Sequence, residues 1–201
     1  MKYKLILVAG PSSSGKSTLA RALCQEIGAD RACLLSLDHY YRDLRHLSAR
    51  ERALIDFDHP DAWESEKLIK DMGQLLEGNP VEMPEYDFTT HLRMEEKQPI
   101  SPCPFIIAEG LFALCYAKLN ALASLKIFVD IDDAVALQRR LERDTRERGR
   151  SPESIARQFN KTVRAANRIH IRPSAEVADI KLDGPSPVAA NLNSILAATN
   201  H

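Results

Sequence analysis

The chain has 201 residues, 44% hydrophobic and 27% charged, which suits one globular domain with a packed core. Its 27 Lys and Arg against 28 Asp and Glu leave a formal charge of −1, so no global field favours nucleic acid or an anionic membrane as partner. The first apolar run, residues 5–9, is too short for a signal segment or a membrane span and reads as a strand. Cys24, Cys33, Cys103 and Cys115 show no paired spacing, and we expect free thiols in a reducing cytoplasm.

In chain order, that first strand (4–9) leads straight into Gly10-Pro-Ser-Ser-Ser-Gly15-Lys16-Ser17-Thr18, a complete Gly-x-x-x-x-Gly-Lys-Ser loop, and then into a helix over 17–27. Gly10 and Gly15 let successive N–H groups curl around a phosphate, with Ser13 and Ser14 between them, and the helix N-terminus adds partial positive charge. Lys16 reaches the terminal phosphates and the Ser17 hydroxyl supplies one position on Mg²⁺. The pattern is that of a nucleoside triphosphate site, against a bland alternative of a Gly/Ser turn.

A second strand over 32–37 delivers Asp38, placed to accept the proton of an acceptor hydroxyl or to hold a metal-bound water. A helix follows over 64–77. Residues 79–104 carry Pro80, Pro84, Pro99, Pro102 and Pro104 and read as a β-hairpin excursion. In it Tyr86 and Phe88 are two apart on extended chain and point the same way, either as a wall for a flat base or as a cross-strand pair. The third strand, 105–108, ends in Glu109, a Walker B position with Glu in place of Asp. Further strands are expected at 126–130 and 178–182, with helices at 133–148, 152–166 and 188–198. Strands alternating with helices predict an α/β fold of three layers, a central parallel sheet with helices on both faces.

Residues 139–150 hold six arginines in twelve positions. They form either a solvated helix with ion pairs such as Glu142–Arg146 or a lid closing over phosphates, with Gly149 as its hinge. A regular helix places Arg139, Arg143, Arg146 and Arg150 on one face. A switch GTPase is excluded, because the chain has no Asp-x-x-Gly, and Asn160-Lys161-Thr162-Val163 lacks the Asp of a guanine reader.

Together these motifs, with Asp56-Phe-Asp-His-Pro-Asp-Ala-Trp63 and Pro84-Glu-Tyr-Asp-Phe-Thr-Thr-His-Leu-Arg93, resemble the uridine kinase (uridine–cytidine kinase) family of P-loop kinases, over roughly residues 5–182. The resemblance implies transfer of the ATP γ-phosphate to the 5′-hydroxyl of uridine or cytidine. It implies Asp38 as catalytic base, and Ser17, Asp38 and Glu109 around Mg²⁺. It makes Tyr41, Asp58, Tyr86, Phe88, His91, Arg140, Arg150 and Gln158 nucleoside contacts, and Arg143 and Arg148 lid residues at the phosphates. Family members are commonly homo-oligomers, and the hairpin is a candidate contact surface.

Two segments depart from the family. Val163-Arg164-Ala165-Ala166-Asn167 stands where Val-x-Pro-x-Phe is usual. Leu182-Asp183-Gly184-Pro185-Ser186-Pro187 replaces an Arg-Gly turn near the adenine, which leaves GTP open as donor. The competing acceptors are those of phosphoribulokinase- or pantothenate kinase-like enzymes.

Overall fold

In the computed structural model, residues 2–52 and 54–199 are described. Five parallel strands run in the order β2-β5-β1-β6-β7: β1 (Lys4–Ala9), β2 (Ala32–Ser36), β5 (Phe105–Glu109), β6 (Leu125–Asp130) and β7 (Ile180–Asp183). All but the first residue of β1 are buried, as expected of the centre of a parallel sheet covered on both faces. Its side chains alternate between two cores. Leu5, Leu7 and Ala9 pack with Leu68, Met72 and Leu75 of α3 (Ser65–Glu77) and Leu119 of α4 (Ala117–Leu122). Ile6 and Val8 face Leu19, Ala20 and Leu23 of α1 (Lys16–Ile27) and Ile195 of α8 (Val188–Thr199). The expected three-layer α/β arrangement follows from that alternation, each buried Leu or Ile contributing about 1.5–3 kcal/mol.

The hairpin is present: β3 (Val81–Asp87) and β4 (Leu92–Ile100) pair antiparallel, with an irregularity between Pro84 and Tyr86. A two-stranded sheet has only edges, so Pro84 and Pro99 cost it little. A short helix, α2 (Ala49–Arg52), precedes the loop that carries Phe57 and Asp58.

Helix α5 (Asp133–Arg148) begins where the Asp132 carboxylate accepts the Ala134 N–H at 2.7 Å and ends at Gly149, whose φ of 61° suits a left-handed cap. Ser151 caps α6 (Pro152–Gln158), with Pro152 in the first turn.

Three expectations are corrected. The helix expected to stop at 166 runs on: after α6 come a π segment (Phe159–Val163), α7 (Arg164–Ala166) and a second π segment (Asn167–Ile171), until Pro173 ends the regular path. Asp38 lies in a 3₁₀ turn, Leu37–Tyr40, two residues past the end of β2. Finally, Cys33 and Cys103 form a disulfide, with Cα atoms 6.2 Å apart, and only Cys24 and Cys115 are free thiols. The pairing of β2 with β5 brings together two cysteines that are 70 residues apart. No described helix is long and apolar enough to cross a membrane.

Candidate active site

The phosphate loop leaves β1 through Gly10, where φ is 151° and an added Cβ would lie 2.1 Å from the Val129 carbonyl oxygen. Only glycine allows that approach. Ser13 takes a left-handed φ of 67°, Ser14 is fully buried, and Gly15 turns the chain into α1. The first turn of α1 holds no acidic residue, so the N–H groups of Lys16, Ser17 and Thr18 present uncompensated positive potential.

Strand register sets the acids beside this loop. Glu109 pairs with Val8 on one side and Ser36 on the other. Its carboxylate accepts the Ser17 hydroxyl at 3.0 Å. Burial pushes the Glu109 carboxyl above its usual range, against the opposing pull of the Lys16 ammonium. Asp38 accepts the Leu111 N–H at 3.1 Å, a bond that fixes the carboxylate across from Ser17 and Glu109. Among the described residues no three His, Cys, Asp or Glu side chains form a metal cage. The oxygen set of Ser17, Asp38 and Glu109 is hard and small, and it suits Mg²⁺, which binds through one or two carboxylates together with substrate phosphates.

These groups open into one cavity of about 1000 Å³. Lys16, Ser17, Asp38, Tyr41, Asp58, Tyr86, Phe88, His91, Glu109, Arg140, Arg143, Arg150 and Gln158 all line it, although they are scattered over 143 positions of the chain. Gly10, Ser13, Ser14, Gly15 and Thr18 stand behind this lining, in the loop and first helical turn. The side chain of Arg148 lies outside what the structure describes.

One wall is aromatic. Tyr41 and Tyr86 have ring centroids 5.2 Å apart, Tyr86 and Phe88 5.3 Å. His91 stacks on Phe57 at 4.3 Å and 17°. The hairpin is tied to the Asp38 turn by two hydrogen bonds, from the Tyr86 N–H to Nδ1 of His39 at 3.0 Å and from Arg93 to the Tyr41 carbonyl at 2.7 Å; Arg93 also donates to Glu64 at 2.6 Å. Nδ1 must be unprotonated to accept, and burial lowers the His39 pKa accordingly.

A polar network also lines the cavity, beginning beside Phe57. Asp58 is 8% exposed and accepts the Thr162 hydroxyl at 2.6 Å; burial raises its pKa, with Thr162 and Arg140 opposing. Oε1 of Gln158 accepts from Arg140 at 3.2 Å and Arg150 at 2.8 Å.

The arginines do not share one face. Arg143 and Arg150 line the cavity, Arg139 donates to the Ser13 carbonyl at 3.3 Å, and Arg146 is exposed and hydrogen-bonds Glu147, with Glu142 a weaker electrostatic neighbour. The chain turns at Gly149, and the Arg150 N–H donates back to the Asp144 carbonyl. Asp144 is fully buried and gathers Arg140, Arg143 and Arg150 at 3.5, 2.7 and 3.6 Å.

Sequence reasoning missed Asp144, His39, Phe57, Thr162 and Asn167. Arg140–Asp144 at i,i+4 was the available signal for the first; the others are brought in by long-range packing.

The profile described as "Phosphoribulokinase / Uridine kinase family" matches residues 5–188. The chain is similar to a uridine kinase of Chloroflexus aurantiacus, 39% identical over 193 residues, covering 94% of this chain and 92% of that protein. It is 41% identical over 177 residues to a uridine kinase of Lactobacillus johnsonii, covering 88% and 84% of the two chains. Among solved structures, phosphoribulokinase from Rhodobacter spheroides shares the fold, with a TM-score of 0.69 at 19% identity over 90% of this chain and 70% of that one.

Proposed function

The chain belongs to the phosphoribulokinase/uridine kinase family, and from that premise we propose that it transfers the γ-phosphate of ATP to the 5′-hydroxyl of a pyrimidine nucleoside, uridine or cytidine. The observation that carries this reading is the single cavity joining Lys16, Ser17 and Asp38 to the aromatic wall of Tyr41, Tyr86, Phe88 and His91. A flat ring stacked there leaves its sugar facing Asp38. The relatives named above act, by their names, on uridine.

In this reading the loop from Gly10 to Thr18 cradles the triphosphate, with Ser13 and Gly15 offering backbone N–H groups, while the Ser14 N–H donates to the Pro11 carbonyl and holds the loop's shape. Ser17, Asp38 and Glu109 would hold Mg²⁺, which would supply charge neutralisation on the phosphates when bound. Asp38 accepts the proton of the attacking hydroxyl, and its bond from Leu111 keeps it aimed. Lys16, Arg143 and Arg148 stabilise the phosphoryl group as it leaves, and the carboxylate of Asp144 orients Arg143. Asp58 holds ribose hydroxyls, while Arg140, Arg150 and Gln158 bound the other side of the nucleoside. ATP is the donor we assign. The Asp183-Gly184-Pro185 turn lies against the loop, the Gly184 carbonyl oxygen 3.7 Å from where a Cβ on Gly15 would stand, so GTP belongs in the same assay. We place the protein in a homo-oligomer, using the exposed outer residues of β4 as contact surface.

The test is ADP release over uridine, cytidine, purine nucleosides, phosphorylated pentoses and pantothenate. Turnover with uridine and cytidine at least 100-fold more efficient than with the others is expected. Preference for a phosphorylated sugar or pantothenate overturns the assignment.

A further inference from the structure

Asn167 is 1% exposed, lines the cavity, and has no hydrogen-bond partner among the described residues for either its amide oxygen or its amide nitrogen. A buried primary amide left without partners costs stability, so its retention asks for an explanation. It opens the second π segment, and such segments concentrate at functional sites.

Its place along the helix indicates which part of a ligand it meets. Thr162, bonded to Asp58, is five residues earlier, roughly 6–8 Å along the axis at helical rise. Beyond Asn167 the helix ends against the turn that follows β5, where the Cys115 thiol donates to the His170 carbonyl at 3.6 Å. That turn begins with Leu111, whose N–H holds Asp38. Asn167 therefore stands on the cavity-lining helix between Thr162, which bonds Asp58, and His170, whose ring lies 4.6 Å from that of His59 beside Asp58, on the stretch of helix that runs along the Asp58 loop.

We propose that Asn167 is an acceptor-binding residue that hydrogen-bonds a sugar hydroxyl of the nucleoside; this rests on the nucleoside kinase reading above. A hydroxyl both donates and accepts, and so does a carboxamide, whereas a phosphoryl oxygen accepts alone. The amide selects ribosyl acceptors with that hydroxyl in place.

The test compares wild type with Asn167→Leu on uridine, 2′-deoxyuridine and 3′-deoxyuridine, together with the Tm of each unliganded protein. The expected result is a loss of about 10–100-fold in kcat/KM on uridine, a loss under about threefold on the deoxynucleoside lacking the bonded hydroxyl, and an unliganded Tm equal to or above wild type. A uridine kcat/KM within twofold of wild type, an equal loss on all three nucleosides, or a lowered Tm overturns the proposal, the last two by showing a structural amide. Asn167→Ala carries the same comparison if the Leu variant does not fold. Wild-type protein that phosphorylates no nucleoside overturns the kinase reading itself, which wild-type turnover with an indifferent variant would leave standing.

Discussion

Asp38 is held by one backbone N–H, from Leu111, and faces the Ser17–Glu109 pair across the cavity floor. Asp38→Asn keeps the shape and that hydrogen bond but removes the proton acceptor. We predict that ATP binding, measured by calorimetry, stays within about threefold, while kcat falls about 10²–10⁴-fold. Asp58 makes the opposite kind of prediction. Burial raises its folded pKa above the unfolded value, so folding favours the neutral carboxyl. Below the unfolded pKa both states are protonated and the group costs nothing. As pH climbs through the folded pKa, ionisation subtracts stability. Asp58→Asn, whose Oδ1 still accepts from Thr162, is therefore expected to raise the unliganded Tm at pH 8 and to leave it unchanged near pH 3. The same variant weakens nucleoside binding, and a higher Tm at pH 3 than at pH 8 relative to wild type would contradict the assignment.

Two glycines define the elements that carry the site, and they differ in what a methyl group would do. At Gly10 an added Cβ falls on the Val129 carbonyl oxygen, which belongs to strand β6, so the phosphate loop or the strand must move. Gly10→Ala is expected to abolish detectable ATP binding and to lower Tm. At Gly149 an added Cβ meets nothing within 4 Å, and only the left-handed φ of 61° resists it. Gly149→Ala is expected to cost about 1 kcal/mol and to loosen Arg150 from Gln158 and Asp144. It should raise KM for the nucleoside several-fold with ATP binding intact.

The contrast also shows why the fold was more legible than the site. β1, α1 and α5 were readable to within a residue because apolar runs, Gly15 and Gly149 mark their ends locally. The arginine segment was not, because a one-face reading assumes a straight helix, whereas the chain turns at Gly149 and buried Asp144 collects arginines from both sides of that turn. The π segments after Gln158 were invisible for a similar reason: tertiary packing sets their register, and no residue pattern announces them.

Across the whole molecule, one sheet edge assembles the chemistry. Parallel pairing puts the ends of β1, β5 and β2 side by side, so Gly10, Glu109 and the Asp38 turn converge whatever their separation in sequence. The hairpin then folds over that edge, fastened by His39 and Arg93, and the helix from Ser154 to Ile171 closes the far side. The disulfide between Cys33 and Cys103 shows what a linear reading omits, since neither cysteine has a local signal and the pairing arises from sheet order. The central claim is that phosphate loop, carboxylate and aromatic wall serve one reaction. Following label from γ-phosphate-labelled ATP in the presence of uridine tests it most directly. The account predicts label in uridine 5′-monophosphate, one per ADP formed, and its disappearance in Asp38→Asn. Label recovered only as inorganic phosphate, or an equal yield from the variant, would contradict it.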